Sequence, residues 1–147
     1  MCGRFLAGRP DPGTPIGAEL AAWEASYDGP PMKTRGEVFP TDMAPIVTYE
    51  GALKARAMVW GFPGFSFKSG ARPRPLINAR AETAATLKTW RSALSSRRCL
   101  VPAAGFYEWS HKGGKKSSLK LLFTLPDSDH LLMAGLWGEF DGSWPWR

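Results

Sequence analysis

Residues 98–109 read RCLVPAAGFYEW, and the fold turns on how many strands this stretch holds. Val, Leu and aromatic residues favour extended backbone, and the small residues between Pro102 and Phe106 suggest a break. RCLVPA and GFYEWS are therefore expected as two short strands. SLKLLFTL and HLLMAGLW add two more, with HKGGKKS as the turn between the second and third.

Working backwards along the chain, ARAETAATLKTWRSALSS (79–96) is rich in Ala and Leu without a breaker, and a single helix is expected there. APIVTYE (44–50) and GALKARAMVW (51–60) read as a hairpin turning near Glu50 and Gly51. TPIGAELAAWEASY (14–27) sets Ile16, Leu20, Trp23 and Tyr27 at helical spacing, and Pro30 and Pro31 end that helix. Strands with two inserted helices imply an α+β fold built on an antiparallel sheet or small barrel-like core with flanking helices. The expected organisation is one domain over residues 1–147. The sequence reaches GEFDGSWPWR straight after a strong strand, so an exposed sheet edge is expected there.

The composition, 44% hydrophobic and 22% charged, is that of an ordinary globular protein. No segment approaches the roughly 18 apolar residues of a membrane span, and the first residues lack the basic and apolar regions of a signal peptide. A cytoplasmic protein with no membrane partner is expected. Of the two cysteines, Cys2 and Cys99, no disulfide is expected under reducing conditions. Nineteen Lys and Arg against thirteen Asp and Glu give a net charge of +6. The excess is concentrated between Trp60 and Arg98, where eight basic residues face one acid, Glu82. With Trp60, Phe62, Phe65, Phe67 and Trp90 interleaved, the segment suits a polyanion with stackable bases. A solvated basic face with its aromatics in the core is the other reading.

The chain opens MCGRF. An initiator Met is normally removed before a residue as small as Cys, which would give Cys2 a free α-amine beside its thiol. Their reference pKa values are about 8 and 8.5, so both are usable nucleophiles near neutral pH. Attack on an amide by sulfur, with the amine as base, is the logic of N-terminal-nucleophile hydrolases. With an aldehyde, the amine forms a Schiff base and the sulfur closes a thiazolidine. The bland reading of Cys2 is a small buried hydrophobe.

Asn78 precedes the expected helix and could cap it, and Arg80 could meet a phosphate or pair with Glu82. In GFYEW, alternation puts Phe106 and Glu108 on one face, and Tyr107 and Trp109 on the other. If Phe106 faces the core, Glu108 does too, and an inward carboxylate near an amine is a candidate acid or base. Otherwise Glu108 is an exposed strand end. His111 and His130 fall in turn-like segments and read as solvated. No spacing fits a metal site, and no glycine motif fits a phosphate cradle; no cofactor is expected.

Taken together, MCGRF, FPT (39–41), WGF (60–62), PLINARAETAAT (75–86), RCLVPAAGFYEW (98–109) and MAGLW (133–137) resemble the SOS-response-associated peptidase (SRAP) family, whose members shield abasic sites in single-stranded DNA. The resemblance implies that Cys2 captures the aldehyde C1′ of an abasic deoxyribose as a thiazolidine, with Asn78 hydrogen-bonding at the crosslink and Glu108 positioning the amine and moving protons. It implies phosphate contacts from Arg4, Arg80 and Arg98, and base contacts from Trp109 and the loop after Trp60, where Phe65 and Phe67 replace a Trp pair of the relatives. It further implies a monomer acting on abasic single-stranded DNA at the nucleoid. Relatives continue past the AGLW strand into further strands and a His-bearing segment with no match here, so a C-terminally shortened sheet is expected. An N-terminal-nucleophile peptidase or amidohydrolase, and an inactive non-covalent binder of single-stranded DNA, are the alternative functions.

Overall fold

The structure, a computed structural model, describes residues 2–64, 74–110 and 118–139. Its elements in chain order are β1 (Phe5–Ala7), α1 (Pro15–Ser26), β2 (Glu37–Val38), β3 (Met43–Tyr49), β4 (Leu53–Val59), α2 (Ala81–Ala84), α3 (Lys88–Ser96), β5 (Arg98–Ser110), β6 (Leu119–Phe123) and β7 (Leu131–Leu136). The strands form one seven-stranded sheet whose pairings are all antiparallel. This is the α+β architecture expected from the sequence.

The stretch expected to hold two strands is a single strand of 13 residues, β5. The small residues at its centre keep the strand continuous by letting other backbone come close. A Cβ on Gly105 would meet the Phe123 carbonyl oxygen at 2.6 Å. The ladder partners change where the break was expected. On one edge β5 pairs with β7 through Ala103 and with β6 from Phe106. On the other edge β3 pairs at Cys99 and Leu100, and β1 at Ala103, Gly105 and Phe106. Pro102, which has no N–H to donate, falls between the β3 and β1 pairings on that second edge.

The helix expected over 79–96 is also interrupted. Leu87 takes an extended conformation (φ −72°, ψ 129°) and separates α2 from α3. Ala84 and Trp90 are both buried, yet six residues of one continuous helix would set them about 120° apart around the axis. Breaking the helix lets both face inward, and Trp90 meets Phe62 edge-on at 4.9 Å between ring centroids. The other helix and the hairpin form as expected. Thr14 caps α1 by accepting from the Gly17 N–H at 3.1 Å, Pro15 opens it, and Leu20 packs on Val47 and Ala55 with Ile16 and Trp23 alongside. Glu19 of this helix accepts the Ala55 N–H at 2.9 Å, so the helix also satisfies a backbone donor of β4.

The core beneath the start of the chain is Phe5, Val38, Ala44 and Ala103, with Trp60, Phe106 and Met133 packed against it. The far side of the sheet is less covered. All five residues of β6 are exposed, and Leu119 is 68% accessible. Phe5→Ala removes a ring from the tighter region and is expected to cost about 3–5 kcal/mol, a large part of the roughly 5–15 kcal/mol typical of a domain. Leu119→Ala is expected to change stability by about 0.5 kcal/mol or less. Urea denaturation of the two variants checks the contrast.

Candidate active site

Phe5 anchors the site. It pairs with Val38 on one side and Phe106 on the other, and its burial holds the preceding residues along β5. The Tyr107 N–H donates to the Arg4 carbonyl at 2.9 Å, which continues the ladder one residue beyond β1. The same carbonyl accepts from the Cys2 thiol at 3.2 Å. From the opposite direction, the Asn78 side-chain amide donates to the Cys2 carbonyl at 2.7 Å. Asn78 is therefore no helix cap, because the residue at the cap position of α2 is Arg80; its amide is engaged by the residue at position 2.

Glu108 shares the face of Phe106 and is half-buried. This agrees with the inward reading of GFYEW. Partial burial raises the Cys2 thiol pKa above its usual value, opposed by backbone hydrogen bonding at Arg4 and reinforced by the charge of the Glu108 carboxylate. Thiol, carboxylate and side-chain amide, drawn from 106 residues of chain between Cys2 and Glu108, are thus neighbours. Cys99 is free and buried, and desolvation pushes its thiol up to about 12.

Arg4 lies on the other face of β1. Its Nη1 donates to Glu37 Oε2 at 3.0 Å, and its guanidinium lies 4.3 Å from the Phe39 ring centroid and 5.5 Å from that of Trp109. Trp109 is therefore beside Arg4. The turn carrying Phe39 is strained: Thr41, a β-branched residue, has φ 79°. It is held by the Thr41 N–H donating to the Trp60 carbonyl at 2.8 Å and by the Phe39 N–H donating to Asp42 Oδ2 at 3.0 Å.

The remaining expected site residues are dispersed. Arg80 is exposed at the start of α2, two residues from Asn78. Arg98 is exposed at the opposite end of β5 from Glu108, on the order of 30 Å along an extended strand, so the structure does not bring it to Cys2. Trp60 is turned inward: it packs edge-on against Phe5 at 5.2 Å and donates its indole N–H to the Ile77 carbonyl at 3.2 Å. With Trp90 also buried, the described Trp residues of the basic segment serve the core, whereas Arg74, Arg80, Lys88, Arg91 and Arg98 are exposed. Phe65, Phe67 and His111 lie outside the described residues. His130 is half-buried beside Ser128, whose hydroxyl donates to its carbonyl at 2.6 Å. Sequence reasoning missed Glu37, Phe39 and Lys120, which come together only through the β2–β1–β5–β6 pairing. Among the described residues no group of three or more His, Cys, Asp or Glu could hold a metal.

These features define an α+β protein whose candidate reactive group stands at the head of the first strand of an antiparallel sheet. The sequence profile of the SOS response associated peptidase (SRAP) family matches residues 1–145, and the chain belongs to that family. It is 38% identical over 71 residues to the abasic site processing protein YobE of Bacillus subtilis, covering 46% of this chain and 32% of the relative. It is 30% identical over 118 residues to the abasic site processing protein YedK of Escherichia coli, covering 79% of this chain and 51% of the relative. The chain therefore spans at most about half the length of these relatives. A crystal structure of a Bordetella bronchiseptica protein shares the fold, with TM-score 0.62 and 23% identity over 93% of this chain and 64% of that one. A phage-related protein of the same organism matches with TM-score 0.61 and 25% identity over 92% of this chain and 60% of its own.

The neighbouring carboxylate disfavours the Cys2 thiolate, so Glu108→Gln is expected to lower the Cys2 pKa and to speed its alkylation by iodoacetamide severalfold at pH 8. Mass mapping of the labelled peptide reads Cys2 alone, because Cys99 remains protonated at that pH.

Proposed function

We propose that the protein responds to DNA damage by capturing abasic sites in single-stranded DNA through Cys2 once Met1 has been removed. The observation that carries this reading is the enclosure of residue 2, with its carbonyl held by Asn78 and its thiol shared between the Arg4 carbonyl and the field of Glu108. The relatives named as abasic site processing proteins support it at the level of the substrate.

In this mechanism the Cys2 amine adds to the aldehyde carbon of the ring-opened sugar, and the carbinolamine loses water to give an iminium. Glu108 accepts a proton from the attacking amine and returns it to the departing hydroxyl. The thiol sulfur then adds to the same carbon and its proton passes to a base. One C–N bond and one C–S bond form, one water leaves, and no redox partner is required. Asn78 fixes the residue 2 backbone so that amine and sulfur approach one carbon together.

A protonated thiol is a poor nucleophile toward an amide, whereas an iminium is electrophilic enough to be trapped as the thiol loses its proton. The proposed protein is a single-domain monomer, cytoplasmic and nucleoid-associated. Exposed basic residues such as Arg80 help to hold the strand. Among the described residues, no helix is long and apolar enough to cross a membrane.

Incubation with a single-stranded oligonucleotide carrying one abasic site, followed by denaturing electrophoresis, is expected to give a shifted band. Cys2→Ala should abolish it, Glu108→Gln should slow its formation by about 100-fold or more, and Asn78→Ala by about fivefold, the loss of one hydrogen bond. Intact mass should show Met1 absent. Peptide turnover that depends on Cys2, with no band between pH 6 and 8, overturns the proposal.

A further inference from the structure

Glu37 bridges two cations beside the site. One carboxylate oxygen accepts from Arg4 Nη1 at 3.0 Å and the other from Lys120 Nζ. Lys120 enters from β6, where it is the single charged residue in LKLLF, and its ammonium lies 3.9 Å from the Tyr107 ring centroid. Aromatic rings thus flank both cations, Phe39 and Trp109 at Arg4 and Tyr107 at Lys120.

Two features distinguish this arrangement from a plain structural ion pair. Arg4 Nε is enclosed and has no acceptor among the described residues. The guanidinium fork is then only partly used by the carboxylate, and a buried donor without an acceptor is unfavourable. The three charged side chains also remain 27%, 31% and 36% accessible for Arg4, Glu37 and Lys120, so an ion arriving from solvent can reach them. Their position is telling as well, because the Cys2 thiol donates to the carbonyl of Arg4 itself.

We propose that Arg4 and Lys120 form a two-cation seat for a backbone phosphate of the bound strand, and that Glu37 occupies the seat as a resident counter-ion until a phosphate displaces it. Lys120 is thereby a DNA-binding residue and Glu37 an autoinhibitory one. A phosphate offers the same pair of oxygens to the two cations as the carboxylate does. When the seat is closed, the two cations are partly neutralised, which weakens the hold on undamaged strands. A covalent bond at Cys2 keeps the strand in place long enough to complete the exchange. The inference rests on the abasic-DNA reading above and adds a residue pair that determines how strongly any single strand is held.

The test separates the two proposals by using non-covalent binding of an undamaged oligo(dT) in a Cys2→Ala background, followed by fluorescence anisotropy across salt concentrations. Lys120→Met is expected to weaken binding roughly three- to tenfold and to reduce the salt slope by about 0.7, the value for one phosphate contact on a single strand. Lys120→Arg should retain binding. Glu37→Gln should tighten it by a similar factor, and this gain should shrink to about twofold or less when Lys120 is Met. Glu50→Gln, at the remote β3–β4 turn, controls for the loss of one negative charge. The seat is overturned if Lys120→Met leaves affinity and slope unchanged, if Glu37→Gln weakens binding, or if Glu50→Gln gives the same gain. Absence of oligo(dT) binding at low salt in every variant also overturns it. A normal cycle with no crosslink to abasic DNA retains the seat and rejects the covalent reading; a Cys2-dependent crosslink with a flat cycle does the reverse.

Discussion

The carbonyl of Arg4 accepts two hydrogen bonds, from the Tyr107 N–H at 2.9 Å and from the Cys2 thiol at 3.2 Å. The first is a sheet bond and the second holds the Cys2 thiol, so the register of β1 against β5 also sets the position of sulfur. A register slip of one residue would turn Phe5 out of the core and move Arg4 into it. Burial of Phe5 at 4% accessibility opposes that slip. The placement of Cys2 therefore rests on hydrophobic burial three residues away, and a short strand suffices because its partner β5 is long and held on both edges.

That arrangement also separates two kinds of chemistry. Glu108 lies on the face of Phe106, toward the packed side, where partial burial and proximity to the thiol give its charge effect. Arg4, Glu37, Phe39, Tyr107, Trp109 and Lys120 gather on the opposite face, where solvent screens charge but aromatic surfaces organise it. Cys2 precedes the strand and can serve both faces. In the proposed mechanism, proton handling and strand holding fall on different sides of one sheet.

Much of this was legible in the sequence. The helix at Thr14 and the hairpin at Gly51 follow from local signals, a capping hydroxyl and a glycine at φ 82°, and they form where periodicity places them. Glu108 was readable because alternation along GFYEW ties it to Phe106. What was misread depended on distant partners. Small residues around Gly105 look like a break until β6 is seen to need that space, and 79–96 looks like one helix until both Ala84 and Trp90 must face inward. Asn78 has a plausible local role as a cap, and among the sequence signals only the family resemblance pointed it to residue 2, where its amide donates to the Cys2 carbonyl. Glu37 and Lys120 are 83 positions apart, and nothing local in either segment marks them as partners.

The uncovered β6 has a mechanical consequence. With both faces wet and pairing to β5 as its described ladder, it buries little apolar surface, and such elements open at lower free energy than a core strand. Cys2 is mounted on the tightly packed side of the molecule, whereas Lys120 rides on this looser strand. In the proposed phosphate seat, the entropy lost on binding therefore falls mainly on β6.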